Sequence, residues 1–144
     1  MSERRYPVPA RHPDPWVDRT HGYVTHVVTT LGRAGVRVES CWLDPSGPRD
    51  ATIVTRSGSD LRALVWDEET GWREGRFVSG RQGERTVLDS VRYLGGDVLL
   101  DGDAVLDRLL TGVSEAPRAF RSHDDHHDGF AARLDSYAPA IAAA

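Results

Sequence analysis

The densest group of possible metal ligands lies near the C-terminus, in the stretch SHDDHHDGF. Its ligand-type residues are His123, Asp124, Asp125, His126, His127 and Asp128. Imidazole and carboxylate groups suit zinc, nickel or iron, and two of the histidines would share one face of a helix. No HExxH motif accompanies them, and no distant ligand has a recognisable spacing from them. We therefore assign no metal site, and keep a metal-binding accessory protein or metal-dependent enzyme as an alternative.

The single cysteine, Cys41, is the candidate thiol nucleophile. A reactive thiolate needs a neighbouring base, and the sequence places no histidine beside it. We expect a small buried apolar role for Cys41, and a structural role for His26, which lies between core positions of a predicted helix. The motifs of serine hydrolases, P-loops and dinucleotide sites are missing from the chain. No catalytic residue and no cofactor is predicted, and an enzyme is not expected.

Basic and aromatic residues alternate between Arg73 and Arg92. The five arginines of this stretch outnumber its three acidic residues, and bases of a single-stranded nucleic acid stack on aromatics over such a basic surface. Residues 20–113 as a whole carry 11 arginines against 14 acidic residues, however. Salt-bridged strand faces explain the pattern better. Binding of single-stranded nucleic acid through this stretch is kept as a second alternative and is not favoured.

The stretch LVWDEETGWREGRF, residues 64–77, carries the strongest signal for protein binding. Trp66 ends an apolar run and is expected in the core, whereas Trp72 follows a turn and is expected to be half-exposed. Trp and Arg are the residue types that anchor protein interfaces. The predicted partner-binding residues are Trp72, Arg73 and Arg76, although a hairpin with a purely structural role would show the same residues.

Composition limits the class of protein. The chain has 144 residues, 39% of them hydrophobic, a net charge of -4 and 18 basic residues that are all arginine. One domain is expected, without a membrane partner, in the cytoplasm. A lone cysteine excludes an intramolecular disulfide, and no secretory signal or bilayer-spanning run is recognised.

The periodicity predicts an α+β fold. Apolar spacing indicates a helix ending at Ala34, which begins at Pro15 or Thr20. Four strands should follow, VRVESCWL, ATIVTR, LRALVW and WREGRFV, as an antiparallel meander. The stretch 86–94 could be a helix or an irregular cover, and the predicted C-terminal helix contains Val105–Leu110, capped by Asp101 or Asp103. Both helices should pack on one face of a four-stranded sheet.

The segments outside this core are expected to behave differently. Residues 1–15 contain four prolines and predict an extended N-terminal arm. Residues 16–113 form the predicted single domain. Residues 114–144 are poor in aliphatic residues and predict a mobile tail with one weak helix near Phe130 to Tyr137.

Residues 22–112 resemble an uncharacterised family of small actinobacterial proteins, a domain of unknown function. The phrases GYVTHVVTTLG, PRDATI, LVWDEETGWREG and RYLGGDVL carry the resemblance. The resemblance implies no activity and no catalytic residues. The leading hypothesis is a non-catalytic protein-interaction or adaptor module that binds another protein or a second copy as a homodimer; a small-molecule ligand cannot be named.

Overall fold

The computed structural model describes residues 6–45 and 47–138. In chain order the elements are α1 (Pro15–Asp18), α2 (His21–Arg33), β1 (Arg37–Asp44), β2 (Asp50–Ser57), β3 (Asp60–Asp67), β4 (Gly71–Ser79), β5 (Val87–Tyr93), α3 (Gly102–Leu110) and α4 (Phe130–Asp135). The fold is α+β, as predicted. Within the described residues, no helix is both long and apolar enough to cross a membrane.

The sheet is an antiparallel meander with the strand order β1-β2-β3-β4-β5. The prediction of four strands is wrong, because residues 87–93 pair with β4 instead of forming a helix or an irregular cover. Phe77 pairs with Leu88 and Arg73 with Tyr93, while Ser90 adopts a left-handed φ of 55° beside a register shift. A short apolar run is compatible with both a helix and a strand. Here the hydrogen bonds to β4 make residues 87–93 a strand.

One face of the sheet holds the main core. The longest helix, α2, buries Tyr23, Val24, Val27, Val28 and Leu31. They pack with sheet residues that include Leu43, Ile53, Leu64, Trp66 and Trp72. Val105 of α3 belongs to the same core, and Asp101 caps this helix by accepting a hydrogen bond from the backbone N–H of Ala104 at 2.9 Å. The predicted cap and the packing of both helices on one core are confirmed.

The opposite face is covered in part by the link between β4 and β5. Thr86 Oγ1 lies 2.7 Å from Thr52 Oγ1, and the backbone N–H of Gly83 donates to Asp44 at 2.8 Å. Val54 and Val65 on this face are almost completely buried. A loop of the chain itself therefore covers part of this second face of the sheet.

The two terminal segments both pack on the domain. Tyr6 and Val8 of the predicted arm lie against the core. Phe130 and Leu134 of α4 are buried within it, at 4% and 1% exposure. The helix predicted near Phe130 to Tyr137 is present as α4, and its two buried side chains dock it on the core. The mobility predicted for residues 114–144 stays a prediction. Residues 1–5 and 139–144 of the predicted arm and tail lie outside the described residues.

Candidate interaction site at the turn between β3 and β4

The turn that joins β3 to β4 is built by the side chain of Asp67. Its Oδ1 accepts hydrogen bonds from the backbone N–H groups of Glu69 and Thr70, at 2.8 and 2.7 Å. Its Oδ2 accepts one from Arg73 at 3.0 Å. Gly71 completes the turn at a φ of +75°, a conformation that favours glycine. The turn is thus held by hydrogen bonds within residues 67–73 themselves.

Trp72 lies opposite Trp66 in the hairpin, and both indoles have 0% exposure. Trp66 Nε1 donates to the carbonyl of Val98 at 2.7 Å, and Trp72 Nε1 donates to the hydroxyl of Tyr23 at 2.9 Å. The expected burial of Trp66 is confirmed. The prediction of a half-exposed Trp72 is wrong because the helical layer covers this end of the hairpin, so its side chain is not available to a partner.

The two predicted partner-binding arginines occupy different surroundings. Arg73 is held by Asp67 and is mostly buried, with a side-chain exposure of 17%. Arg76 is exposed and pairs with Asp89 across to β5. The structure does not bring these two residues and Trp72 together on one accessible surface. A role for Arg76 in partner binding stays a prediction.

A buried ion pair lies directly behind the turn. Arg49 donates from Nε and Nη2 to the carboxylate of Glu68, at 2.8 Å each, and its backbone N–H donates at 2.7 Å. The two side chains are only 4% and 1% exposed. Burial alone would raise the pKa of Glu68, but the hydrogen bonds from Arg49 outweigh it and lower that pKa. Glu68 is therefore a carboxylate that is held in a largely dry site.

The N-terminal segment closes one side of this ion pair. The Arg49 guanidinium lies 3.8 Å from the centre of the Trp16 ring and donates to the Trp16 carbonyl at 2.9 Å. An aromatic face attracts a cation most strongly when water is excluded. Trp16 belongs to α1, the short helix directly before α2. This helix therefore covers one side of the Arg49 guanidinium.

The tail segment, residues 114–138, closes the other side. Arg121 donates to the Glu68 carbonyl at 3.0 Å and lies 3.3 Å from its carboxylate. The same guanidinium lies 3.9 Å from the centre of the Phe130 ring, which stacks on Trp66 with an interplanar angle of 7°. One arginine and one aromatic residue thus link the tail segment to the hairpin.

The neighbouring residue of the turn also binds the tail segment. The Glu69 carbonyl accepts from the backbone N–H of Phe120 at 2.8 Å. The Glu69 carboxylate accepts from the backbone N–H of His123 and lies 2.9 Å from its Nδ1. This contact raises the pKa of His123 and lowers that of Glu69. Two consecutive glutamates of the turn therefore recognise charge and backbone of the same segment.

The histidines predicted as possible metal ligands face different groups. His123 is bound to Glu69, and His126 packs edge-to-face against Trp16 with ring centres 5.7 Å apart. Among residues 6–45 and 47–138, no three His, Cys, Asp or Glu side chains are grouped so that they could hold a metal ion. Burial raises the pKa of the Cys41 thiol to about 12, so this thiol is almost wholly protonated at neutral pH.

The basic stretch from Arg73 to Arg92 is extensively paired. Four of its five arginines form ion pairs with Asp67, Asp89, Glu84 and Glu74. Arg92 also donates to the carbonyls of Leu109 and Val113 and so binds the C-terminal end of α3. These contacts agree with the salt-bridged strand faces that the sequence favoured.

A row of three aspartates crosses the sheet and predicts a pH dependence of stability. Asp50 lies between Asp44 and Asp67 on adjacent strands, and its Oδ1 has no hydrogen-bond partner among the described residues. Burial first, and the nearby Asp44 second, raise the pKa of Asp50 to about 7, against the opposing charges of Arg73 and Arg85. The unfolded value is about 3.9. The folded state therefore holds this proton more tightly than the unfolded state.

The stability that comes from this proton is complete below about pH 4 and is lost as the pH rises through about 7. Asp50→Asn should therefore stabilise the protein at pH 8 more than at pH 5, because it removes a buried charge. Urea unfolding of both proteins across this range measures the effect. Asp89→Asn is the control, since its pKa is lowered by Arg76 and its effect should be constant over the same range. An Asp50→Asn effect that does not grow with pH would refute the assignment.

Sequence reasoning missed Arg49, Glu68, Arg121 and Phe130 as a group. Arg49 follows a proline at the start of a strand, and Glu68 is one of three consecutive acidic residues, so neither has a local signal of burial. Arg121 and Glu68 are in contact although they lie 53 positions apart in the sequence. The sequence indicates a binding role for the WDEET turn, residues 66–70. It does not indicate which side of the turn contacts another segment of the chain.

Comparison with known proteins places most of this architecture in one family. Residues 23–111 match the model of a family described as "Family of unknown function (DUF6292)", which confirms the predicted resemblance to a domain of unknown function. Neither the curated proteins nor the solved structures gave a significant match. Arg49 and Glu68 lie within the matched residues, whereas Trp16, Arg121 and Phe130 lie outside them.

Proposed function

We propose that this chain, which belongs to the family of unknown function DUF6292, is a non-catalytic protein-interaction module. The observation that carries the proposal is the contact between the turn at Glu68 and Glu69 and the chain's own tail segment. The turn belongs to the residues that match the family, and the tail segment follows them. A surface formed by residues that match the family therefore binds a segment that lies outside the match.

The contact has the chemistry of peptide recognition. Glu68 receives an arginine, the Glu69 carbonyl and carboxylate receive backbone N–H groups, and Trp66 receives an aromatic ring. Buried aromatic and arginine side chains supply much of the affinity of protein interfaces. The partner that this surface fits is a segment with an arginine and a nearby aromatic residue, from another protein or from a second copy.

The covalent connection favours the tail segment over any competitor. A segment tethered to its site acts at an effective concentration of the order of millimolar. A partner in trans has to displace it, and a tail segment that reaches a second copy would give the proposed homodimer. The proposal therefore predicts exchange between tethered and free segments.

Exchange can be measured by cutting the connection without removing the tail. Residues 114–119 are exposed, so a protease site placed between Pro117 and Arg118 should leave the fold intact. After cleavage, the two fragments should remain associated in size-exclusion chromatography. A fluorescent peptide of residues 118–138 should then enter the site, with a rise in anisotropy that the unlabelled peptide reverses.

Matched peptides test the chemistry of recognition. Arg121→Ala should weaken binding of the peptide roughly tenfold or more, because one charge-assisted contact is lost. His127→Ala should bind like the native peptide, since the His127 side chain is exposed. A cleaved protein that unfolds, or an Arg121→Ala peptide that binds as tightly as the native one, would make the tail a structural part of the domain and reject the proposal.

A further inference from the structure

One histidine of the tail segment, His123, faces a carboxylate with each of its two ring nitrogens. Its Nδ1 lies 2.9 Å from Glu69 Oε2, and its Nε2 lies 3.4 Å from Asp124 Oδ1. A neutral imidazole has a single N–H and would turn a lone pair towards one of these carboxylates, whereas the imidazolium carries a proton on both nitrogens. The arrangement therefore fits the charged form of His123.

Glu69 supplies most of the attraction. Its side chain is 27% exposed, whereas that of Asp124 is 85% exposed and is screened by solvent. The hydrogen bond to Glu69 is the largest cause of the raised pKa of His123, and the charges of Asp124 and Glu68 add to it. The arginine of the same segment, Arg121, is bound to Glu68. The turn between β3 and β4 thus presents its charge to this ring mainly through one carboxylate.

Loss of the ring proton weakens this contact without removing it. The backbone N–H of His123 still donates to the Glu69 carboxylate at 2.9 Å, but the ring becomes a neutral donor, and charge-assisted hydrogen bonds are roughly twice as strong as neutral ones. The pKa of His123 is higher in the bound segment than the value of about 6.5 expected for a free ring. The extra binding is therefore complete below the pKa of the free ring and is lost as the pH rises through the pKa of the bound ring.

We propose that protonation of His123 sets how tightly the turn holds the tail segment, so that the segment is released more readily as the solution becomes alkaline. This inference rests on the proposed function, because it names the regulation of the same contact. A partner segment that lacks a histidine at this position keeps its affinity at the higher pH. Such a partner therefore competes better with the tethered segment there.

Amide hydrogen exchange in the full chain tests the inference without a cut or a peptide. The Phe120 amide reports opening of the segment, because it donates to the Glu69 carbonyl. Its protection factor, corrected for the intrinsic effect of pH on exchange, should fall about two- to fivefold between about pH 6 and pH 8.5. His123→Gln should remove this fall. Asp50 titrates in the same range in both proteins, so the difference between the two proteins is the measured effect.

Two further variants locate the cause in the Glu69 carboxylate. Glu69→Gln keeps an oxygen that can accept from the backbone N–H of His123 but removes the charge. In a proton NMR titration of the full chain, this variant should lower the pKa of the His123 ring, and the pH dependence of Phe120 protection should disappear. His127→Gln is the matched control, since the His127 side chain is exposed, and its exchange should follow that of the parent.

The peptide of residues 118–138 separates this inference from the proposed function. It should bind the cleaved protein more tightly at the lower pH, and the His123→Gln peptide should bind equally at both. A native peptide that binds equally at both overturns the inference and leaves the proposed function standing. If no peptide binds, the proposed function fails and the exchange data decide alone. Phe120 protection that changes with pH alike in the parent and in His123→Gln overturns the inference in either case.

Discussion

Glu68→Ala should lower the free energy of unfolding by about 3–5 kcal/mol. The substitution removes the counter-charge of Arg49, which is 4% exposed, and an acceptor of Arg121. A buried guanidinium without a carboxylate costs far more than the lost contact, since water cannot replace it. Urea denaturation followed by circular dichroism measures the change.

The control for this prediction is an exposed ion pair on the same sheet. Glu39 pairs with Arg56, and both side chains are about one third exposed. Glu39→Ala should cost no more than about 1 kcal/mol, because solvent screens this pair. Replacing Glu68 and Arg49 together by Leu and Met should recover part of the loss. Equal costs for Glu68→Ala and Glu39→Ala would show that Glu68 is hydrated in solution.

Trp72→Ala should also lower the free energy of unfolding by about 3–5 kcal/mol, as should Trp66→Ala. Each substitution leaves a cavity in the core, and Trp72→Ala also removes the donor to the Tyr23 hydroxyl. A half-exposed Trp72, as the sequence predicts, would make this substitution much milder. The structure reverses that expectation, because both rings are fully buried.

Two further variants make the result specific. Trp72→Phe keeps most of the ring volume and should cost less than Trp72→Ala. Trp16→Ala removes a ring that is 44% exposed and should cost less than either core substitution. If Trp72→Ala unfolds at nearly the denaturant concentration of the parent, the ring is not in the core and the predicted partner-binding role of Trp72 returns.

Local patterns in the sequence determined much of the fold. The 3.6-residue period placed α2, because five apolar side chains must share one face to be buried. Alternating β-branched segments separated by Gly, Pro and Asp predicted β1 to β4 and their antiparallel order, since short links leave no room for a crossover. The apolar period of α3 predicted a cap at Asp101 or Asp103, and the structure places the cap at Asp101.

Residues 87–93 show where local pattern is insufficient. Val87, Leu88 and Val91 fit a helix, yet the segment is β5. This segment makes its backbone hydrogen bonds with β4. The spacing of its own apolar residues does not indicate that pairing. The same holds for the tail segment, where Phe130 and Leu134 are too few to predict a buried face without the core that receives them.

The candidate interaction site depended most on tertiary structure. The sequence alone identified the WDEET turn and the residue types that favour binding there. It could not determine that Trp72 turns inward, or that Glu68 is buried between Arg49 and Arg121. Burial of a charged residue is decided by partners that are distant in the chain, here 19 and 53 positions away. A charge is stable in the interior only where folding brings such partners to it, so the sequence could name the turn but not its buried contacts.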